Sequence, residues 1–394
     1  MNQSFEGKNL RKPRILVAPL DWGLGHATRC IPIIHHLLKA GADVWLAGEG
    51  KQQKLLVDEF PGLPFLLLKG YRIRYARSAF GLLKNILFQA PKILKTIKSE
   101  NKWLAKMMDE YHFDAVLSDN RYGLYHRNIP CIFITHQLKI KSPLGKWTER
   151  ILQKRNYKYI NQFTACWIPD VEEKNNLAGE LSHPEKKPSI PIHYIGWLSR
   201  LNMASANIND ETKNHLLIIL SGPEPQRSLL ENKIIKEIAN YGGTATIVRG
   251  LPATQSLIPS TSMIRFYNHL PSEELSKEML QAEYVMSRSG YSTIMDIIKC
   301  LMLLIFIPIL ANLVTFKAGG VISVLQHSSK EHLLNSIYLS TPAAPAFILE
   351  ILIASSLISV AIIFRAGRST IFSSSAFLSF SKNASSNPFT CIKE

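Results

Sequence analysis

The chain has 394 residues, 46% hydrophobic and 19% charged, which describes a globular protein with room for two domains, each with its own core. Its formal charge of +16 calls for an anionic partner: a nucleotide diphosphate, a lipid headgroup surface or nucleic acid. Five dispersed cysteines (Cys30, Cys131, Cys166, Cys300, Cys391), with no Cys-x-x-Cys pair, argue against a disulfide framework or a zinc site and suit buried thiols in a reducing cytoplasm.

The N-terminal MNQSFEGKNLRKPR is polar and lacks an apolar signal region, so no secretion is expected. RILVAPL (14–20) reads as a buried strand. The turn DWGLGHAT follows, then IPIIHHLLKAG at helical spacing, then DVWLAG as a second strand. That order is a βαβ unit and predicts a parallel sheet. FDAVLSD, IPCIFITH, FTACWIPD and HYIGWLS read as further strands. After a polar stretch around Asn202 to Asn214, HLLIILSG opens a second series: turn GPEPQRS, helix LLENKIIKEIANYG, strand TATIVRG, strand AEYVMSRSG, helix STIMDIIKC and a further strand LMLLIFIPI. The expected organisation is therefore α/β, with two doubly wound halves joined near 196–212.

Two stretches stand apart. Lys69 to Lys106 carries Lys69, Arg72, Arg74, Arg77, Lys84, Lys92, Lys95, Lys98, Lys102 and Lys106 against the single acid Glu100, with apolar residues interleaved. It reads either as a basic amphipathic helix pair on an anionic membrane or as a helix with a solvated basic face and a core face; periodicity does not separate the two. From about residue 310 the composition shifts to Ser, Ala, Ile and Leu, with Glu331, Glu350 and Glu394 the only acids after residue 300. AFILEILIASSLISVAIIF (346–364) is nearly long enough to span a bilayer. A membrane anchor, a divergent end to the second domain and an out-of-frame or fused tail compete here. The third is preferred, because the tail does not complete what precedes it.

The chemistry concentrates at two turns. In DWGLGHATR (21–29), Gly23 and Gly25 permit a tight turn, and the helix start presents N–H groups to an anion. His26 falls at the carboxyl end of a strand, where open α/β sheets bind ligands, and an imidazole there can serve as a general base or donate to a phosphate. A dinucleotide fingerprint is weakened, since Thr28 stands where its third glycine would be and Glu49 is the only acid on offer for the ribose. In SRSGYSTIMD (287–296), Ser289, Gly290, Ser292 and Thr293 bring hydroxyls and N–H groups to a helix start suited to a diphosphate. Asp296 lies one turn in, placed to accept from ribose hydroxyls. An ordinary helix cap is the plainer alternative.

Taken together, over residues 14–309, these motifs resemble bacterial glycosyltransferases related to the peptidoglycan lipid-intermediate N-acetylglucosaminyltransferase (family 28-like) and, more loosely, the UDP-sugar hydrolase of pseudaminic acid synthesis. GLGHATR is similar to that group's Gly-rich N-terminal loop, which puts His26 at the catalytic or acceptor histidine, with Gly23, Gly25 and Arg29 on the acceptor side. IGWLSR is similar to the interdomain motif, placing Arg200 at a phosphate-contacting arginine. LSGPEPQRS puts Ser221 and Gly222 near the diphosphate, FYNHLPSEEL puts His269 and Leu270 at the base, and RSGYSTIMD puts Asp296 at the ribose. SDNRYG and ITHQ add Asp119, Asn120, Arg121 and His136 to the acceptor side; each also reads as a strand-end polar residue satisfying loop backbone.

The resemblance implies a GT-B fold: two Rossmann-like doubly wound domains facing a cleft, the second incomplete. The divisions would be 1–195 (acceptor side), 196–310 (nucleotide-sugar binding) and 311–394 (atypical tail). It implies inverting, metal-independent transfer from a UDP-sugar donor to a hydroxyl of a glycan or lipid-linked acceptor, with no cofactor beyond that donor. The expected location is cytoplasmic, peripheral at the inner face of the membrane through 69–106, and no nucleic acid is bound. The alternatives are a UDP-sugar hydrolase of the same fold and an inactive membrane-surface or scaffold derivative. The family's glutamine- and acid-bearing donor-sugar loop has no counterpart in FIPILANLVTFKAGG, so donor-sugar binding is the part of the resemblance that this chain leaves unsupplied.

Overall fold

The computed structural model describes residues 11–73, 79–142, 145–173, 175–201, 212–222, 224–288, 290–299 and the strand 361–365. The first domain is a seven-stranded parallel sheet of order β3-β2-β1-β4-β5-β6-β7. Its strands are β1 (Arg14–Pro19), β2 (Asp43–Gly48), β3 (Phe65–Leu67), β4 (Ala115–Asp119), β5 (Cys131–Ile134), β6 (Ala165–Ile168) and β7 (Ile192–Tyr194). Branched and apolar residues fill β1, β4 and β5 because both faces are covered, as in any sheet built from right-handed crossovers. The helices α1 (Gly25–Lys39) and α2 (Gly50–Glu59) cover one face, where Ile31, Ile34, Leu55 and Leu56 meet Val17, Leu46 and Leu117. On the other face lie α3 (Ala79–Tyr111) and α4 (Lys146–Ile160), whose Leu104, Met107 and Ile160 pack on Leu16, Val116 and Phe133.

The second domain is a five-stranded sheet of order β10-β9-β8-β11-β12. It comprises β8 (Thr212–Ile219), β9 (Thr244–Val248), β10 (Ile264–Tyr267), β11 (Ala282–Arg288) and β12 (Ala361–Arg365), with helices α5 (Gln226–Glu237), α6 (Ser272–Gln281) and α7 (residues 291–299). All its pairings are parallel except β11 with β12. Two opposed Rossmann-like sheets in one chain are the GT-B architecture expected from the sequence.

In both sheets the strand order reverses at one place: between β1 and β4 in the first, and between β8 and β11 in the second. Crevices form outside the carboxyl ends of strands at such switch points. Here Pro19 pairs with Asp119 and Ile219 with Ser287, so the loops that follow these strands open side by side.

Several expectations change. The basic region is one 33-residue helix, α3, instead of a helix pair. Among its described side chains, Ile97, Leu104 and Met107 are buried, with Ile93 and Trp103 packed beside them, while Lys92, Lys95, Lys98, Lys102 and Lys106 are exposed. The solvated-face reading thus holds for residues 89–111, whose apolar face is committed to the core. Glu100 is buried against Arg121 at 2.8 Å and accepts from the Tyr71 hydroxyl at 2.8 Å. The strands β3 and β10 were not read from the sequence, where FYNHLPSEEL (266–275) was taken only as a loop.

LMLLIFIPI (301–309) and the tail 311–394, apart from 361–365, lie outside the described residues. Residues 361–364, the end of the apolar 346–364 run, sit with Arg365 in an antiparallel edge strand on β11. Among the described residues, no helix is long and apolar enough to cross a membrane.

Candidate functional site

A cavity of about 970 Å³ lies between the two switch points. Its first-domain wall comprises the loop after β1 (Asp21 to Gly25), His26 and Arg29 of α1, the start of α2 from Glu49 to Gln52, Arg72, Ile73 and His136. Its second-domain wall comprises Ser221, Gly222, Glu224, Pro225 and Gly250, with Gly290 to Thr293 at the start of α7.

On the first wall, the end of β4 delivers Asp119 beneath the first turn of α1. Its carboxylate lies 2.9 Å from His26 Nδ1 and 2.5 Å from Arg29 Nε, and Arg29 Nη2 also donates to it. Asp119 is 0% exposed and Arg29 only 3%, so this is a buried ion pair. Burial raises Asp119, but Arg29 first and then the hydrogen-bonded His26 outweigh it and hold the carboxyl down at about 2. His26 Nδ1 lies 2.9 Å from Asp119 and 2.8 Å from Arg29 Nη2; an ionised carboxylate can only accept, so in the tautomer that pairs with Asp119 the proton sits on Nδ1 and the Nε2 lone pair is free, whereas in the other Nδ1 accepts from Arg29. Burial, followed by the neighbouring guanidinium, lowers His26 below its ordinary 6.5 and keeps it neutral near pH 7. Arg29 Nη1 donates to His136 Nδ1 at 3.0 Å, and burial pushes His136 well below 6.5. A neutral, oriented imidazole facing an open cavity is suited to take a proton.

Opposite, the carboxyl end of β8 turns at Gly222, whose φ of +104° favours glycine. A β-carbon there would collide with the Arg288 guanidinium, whose Nη1 donates to Ser221 O at 3.0 Å. Arg288 therefore lies directly behind the turn as a fixed positive charge. The first turn of α7 brings Ser292 and Thr293, with N–H groups unsatisfied within the helix, to the same cavity. The arrangement suits a diphosphate: a helix N-terminus and small hydroxyls line one volume, with the half-buried Arg288 behind the Gly222 turn.

The domains meet closely here. A β-carbon on Gly25 would come within 2.8 Å of Ser292 Oγ. The Tyr291 ring stacks on His136 at 4.1 Å and 4°, while its hydroxyl donates to Pro169 O at 2.8 Å. Ser199 donates to Asp296 at 2.6 Å, and the Ser272 N–H donates to Glu59 at 3.2 Å.

Of the residues expected at the site, Gly23, Gly25, His26, Arg29, His136, Ser221, Gly222, Gly290, Ser292 and Thr293 do line the cavity. Asp119 lies under it, and Asn120, at φ +56°, points an amide toward Asp119 at 3.5 Å. Arg121 is elsewhere: fully buried, it donates to Pro19 O and Glu100 and so ties α3 to the sheet. Arg200, His269, Leu270 and Asp296 do not line the cavity. Leu270 is core, 3% exposed, and His269 is held down to about 4 by burial and then by Arg200. Asp296 is buried against Ser199, within the field of Arg200, whose Nε and Nη1 have no hydrogen-bond partner among the described residues. Ser289 lies outside the described residues.

Sequence reasoning missed Arg288 and Tyr291, although both stand inside the SRSGYSTIMD motif. It also missed the pairing of Glu49 with Arg72 at 2.7 Å, and Gln52, which donates to Gly23 O at 3.0 Å. Nothing in the spacing of Gln52 signals that role. Among the described residues, no group of three His, Cys, Asp or Glu is placed to hold a metal ion.

The class defined by these observations is a GT-B fold with its cleft at paired switch points. Known protein families give no match to the chain, and neither do curated proteins. Solved structures give a low-identity likeness. Glycosyltransferase SnogD from Streptomyces nogalater is 13% identical over 73% of this chain and 80% of its own, with a TM-score of 0.43. Spinosyn rhamnosyltransferase SpnG, complexed with thymidine diphosphate, is 13% identical over 72% and 77%, at 0.46. Acinetobacter baumannii MurG is 15% identical over 73% and 76%, at 0.36.

Proposed function

We propose that the chain is a glycosyltransferase that moves a sugar from a UDP-linked donor to an acceptor hydroxyl with inversion and without a metal ion. The observation that carries this reading is the facing of a carboxylate-oriented, neutral His26 across one cavity from the Ser221–Gly222 turn and the α7 start. In that reaction His26 Nε2 takes the acceptor proton as the oxygen attacks the anomeric carbon, and Asp119 stabilises the imidazolium that results. The bond from the anomeric carbon to the diphosphate breaks, and the leaving charge falls on the N–H groups of α7, the hydroxyls of Ser292 and Thr293 and the field of Arg288. The acceptor, a glycan or lipid-linked hydroxyl compound, would enter along the wall of Trp22, Arg72 and Ile73.

The test pairs His26→Ala with the unchanged chain. Removal of a general base is expected to lower transfer by roughly 10²–10⁴-fold with UDP affinity nearly unchanged. A large loss of UDP binding with the rate per bound donor retained would make His26 a donor ligand instead. UDP release without acceptor, at a rate acceptors do not raise, would favour the hydrolase reading.

A further inference from the structure

Tyr291 opens α7 between Gly290 and Ser292, on the second-domain wall of the cavity, yet its ring leaves its own domain. It lies flat on the His136 imidazole, 4.1 Å between centroids and 4° between planes, and its hydroxyl donates to Pro169 O at 2.8 Å. Burial raises the Tyr291 phenol above its ordinary 10, so the hydroxyl stays a donor. His136 follows β5 and is held at its edge by Arg29, whose Nη1 donates to its Nδ1 at 3.0 Å. Burial first, then Arg29 and His26, keeps His136 neutral, so its Nδ1 offers a lone pair and its ring proton sits on Nε2. Every nitrogen of the Arg29 guanidinium is engaged: Nε at Asp119, Nη1 at His136, and Nη2 both at Asp119 and, at 2.8 Å, at His26 Nδ1. A continuous chain of contacts thus runs from the first residue of α7 to His26.

His26 Nδ1 has two partners with opposite demands. Beside Asp119 it must carry the proton, which leaves Nε2 free as a base; accepting from Arg29 Nη2, it gives that proton up and Nε2 carries it instead. Which tautomer prevails depends on where Nη2 is aimed. The guanidinium is a rigid planar fork, so holding Nη1 fixes Nη2 as well. His136 holds Nη1, and the flat stack fixes the plane of His136. We propose that Tyr291 is a positioning residue for the transfer reaction: acting through His136 and Arg29, it keeps Nη2 on Asp119 and so holds His26 in the tautomer whose Nε2 accepts a proton. The assignment rests on the reading of His26 as the base. It also ties the base to the donor side, because the tautomer is set only while the start of α7 sits against the first domain. A plain aromatic contact between domains would leave the His26 proton where it is when the ring is removed.

The test is nitrogen NMR of the full chain carrying isotope-labelled histidine, at neutral pH, where protonated and unprotonated ring nitrogens resonate far apart and report the tautomer directly. His26→Ala and His136→Phe assign the two rings. In the wild type, His26 is expected in the Nδ1–H form. Tyr291→Ala should lower its ratio of Nδ1–H to Nε2–H roughly tenfold, the worth of an aromatic stack of about 1.4 kcal/mol. Tyr291→Phe keeps the ring and loses only the bond to Pro169, so it should hold the wild-type tautomer. His136→Phe keeps a ring for Tyr291 but offers Arg29 no acceptor, and should shift His26 as Tyr291→Ala does. These two variants reach Arg29 from opposite sides of the cleft, so either one suffices if the other fails to fold. An unchanged His26 tautomer in either, with wild-type circular dichroism, would overturn the inference, as would a wild type already in the Nε2–H form. Failure of the base assignment reads differently, as full transfer by His26→Ala. Loss of transfer in His26→Ala beside a tautomer indifferent to Tyr291 would remove the positioning role alone.

Discussion

Replacing Asp119 by asparagine tests stability and chemistry together. The carboxylate is fully buried between Arg29 and His26 and is ionised, with its pKa drawn from 3.8 to about 2. The depressed value means that the ionised form stabilises the fold above pH 3.8 and that this contribution is lost as pH falls through about 2. A shift of that size is worth about 2 kcal/mol. The substitution costs more than that, because a protonated carboxyl keeps two oxygens able to accept from Arg29, whereas the amide keeps one and turns an NH2 donor toward the buried guanidinium. Breaking a buried pair by removing one partner costs about 3–5 kcal/mol. Urea denaturation of Asp119→Asn at pH 7 should therefore give a midpoint well below wild type, with the gap narrowing toward pH 2. In transfer assays below the melting range, the loss of the group that fixes the His26 tautomer should cost roughly 10²–10⁴-fold in kcat. A folded variant of wild-type stability and full activity would refute both the buried pair and the His26–Asp119 unit.

Gly222→Ala places a β-carbon on the Arg288 guanidinium in a backbone conformation that disfavours side chains. It should weaken UDP binding at least tenfold while leaving the first domain's melting unchanged, as read by calorimetry and circular dichroism; unchanged UDP affinity would remove the turn from the donor site. Because His26 lies below 6.5, its base form persists through neutrality. The acidic limb of log kcat/KM against pH should fall below 6.5, and an acidic limb above 7 would assign the base to another group.

Much of the fold was legible because buried parallel strands advertise themselves. RILVAP, AVLSD and the core of HLLIILSG are short apolar runs ended by turn residues, and each is a strand at a switch point. β3, three residues long with Leu67 exposed, has neither the length nor the pattern to be read. The basic region stayed undecided because Ile97 and Leu104 carry the same periodicity whether they meet a core or a bilayer. Within the site, the Gly-rich loop and the hydroxyl-rich helix start were visible as turn chemistry. Arg121 was not distinguishable from a cleft residue by type, since only the placement of Glu100, 21 positions away, reveals its partner. Likewise, the stacking of Tyr291 on His136 joins residues from two domains and leaves no local trace.

The most direct measurement is calorimetric titration of the folded full chain with UDP and UDP-N-acetylglucosamine, beside Gly222→Ala. Saturable binding of UDP by the wild type, weakened in the variant, is the expected result and places a nucleoside diphosphate at the α7 start. No heat of binding from a chain whose circular dichroism is that of a folded α/β protein would contradict a working donor site and, with it, the transferase reading.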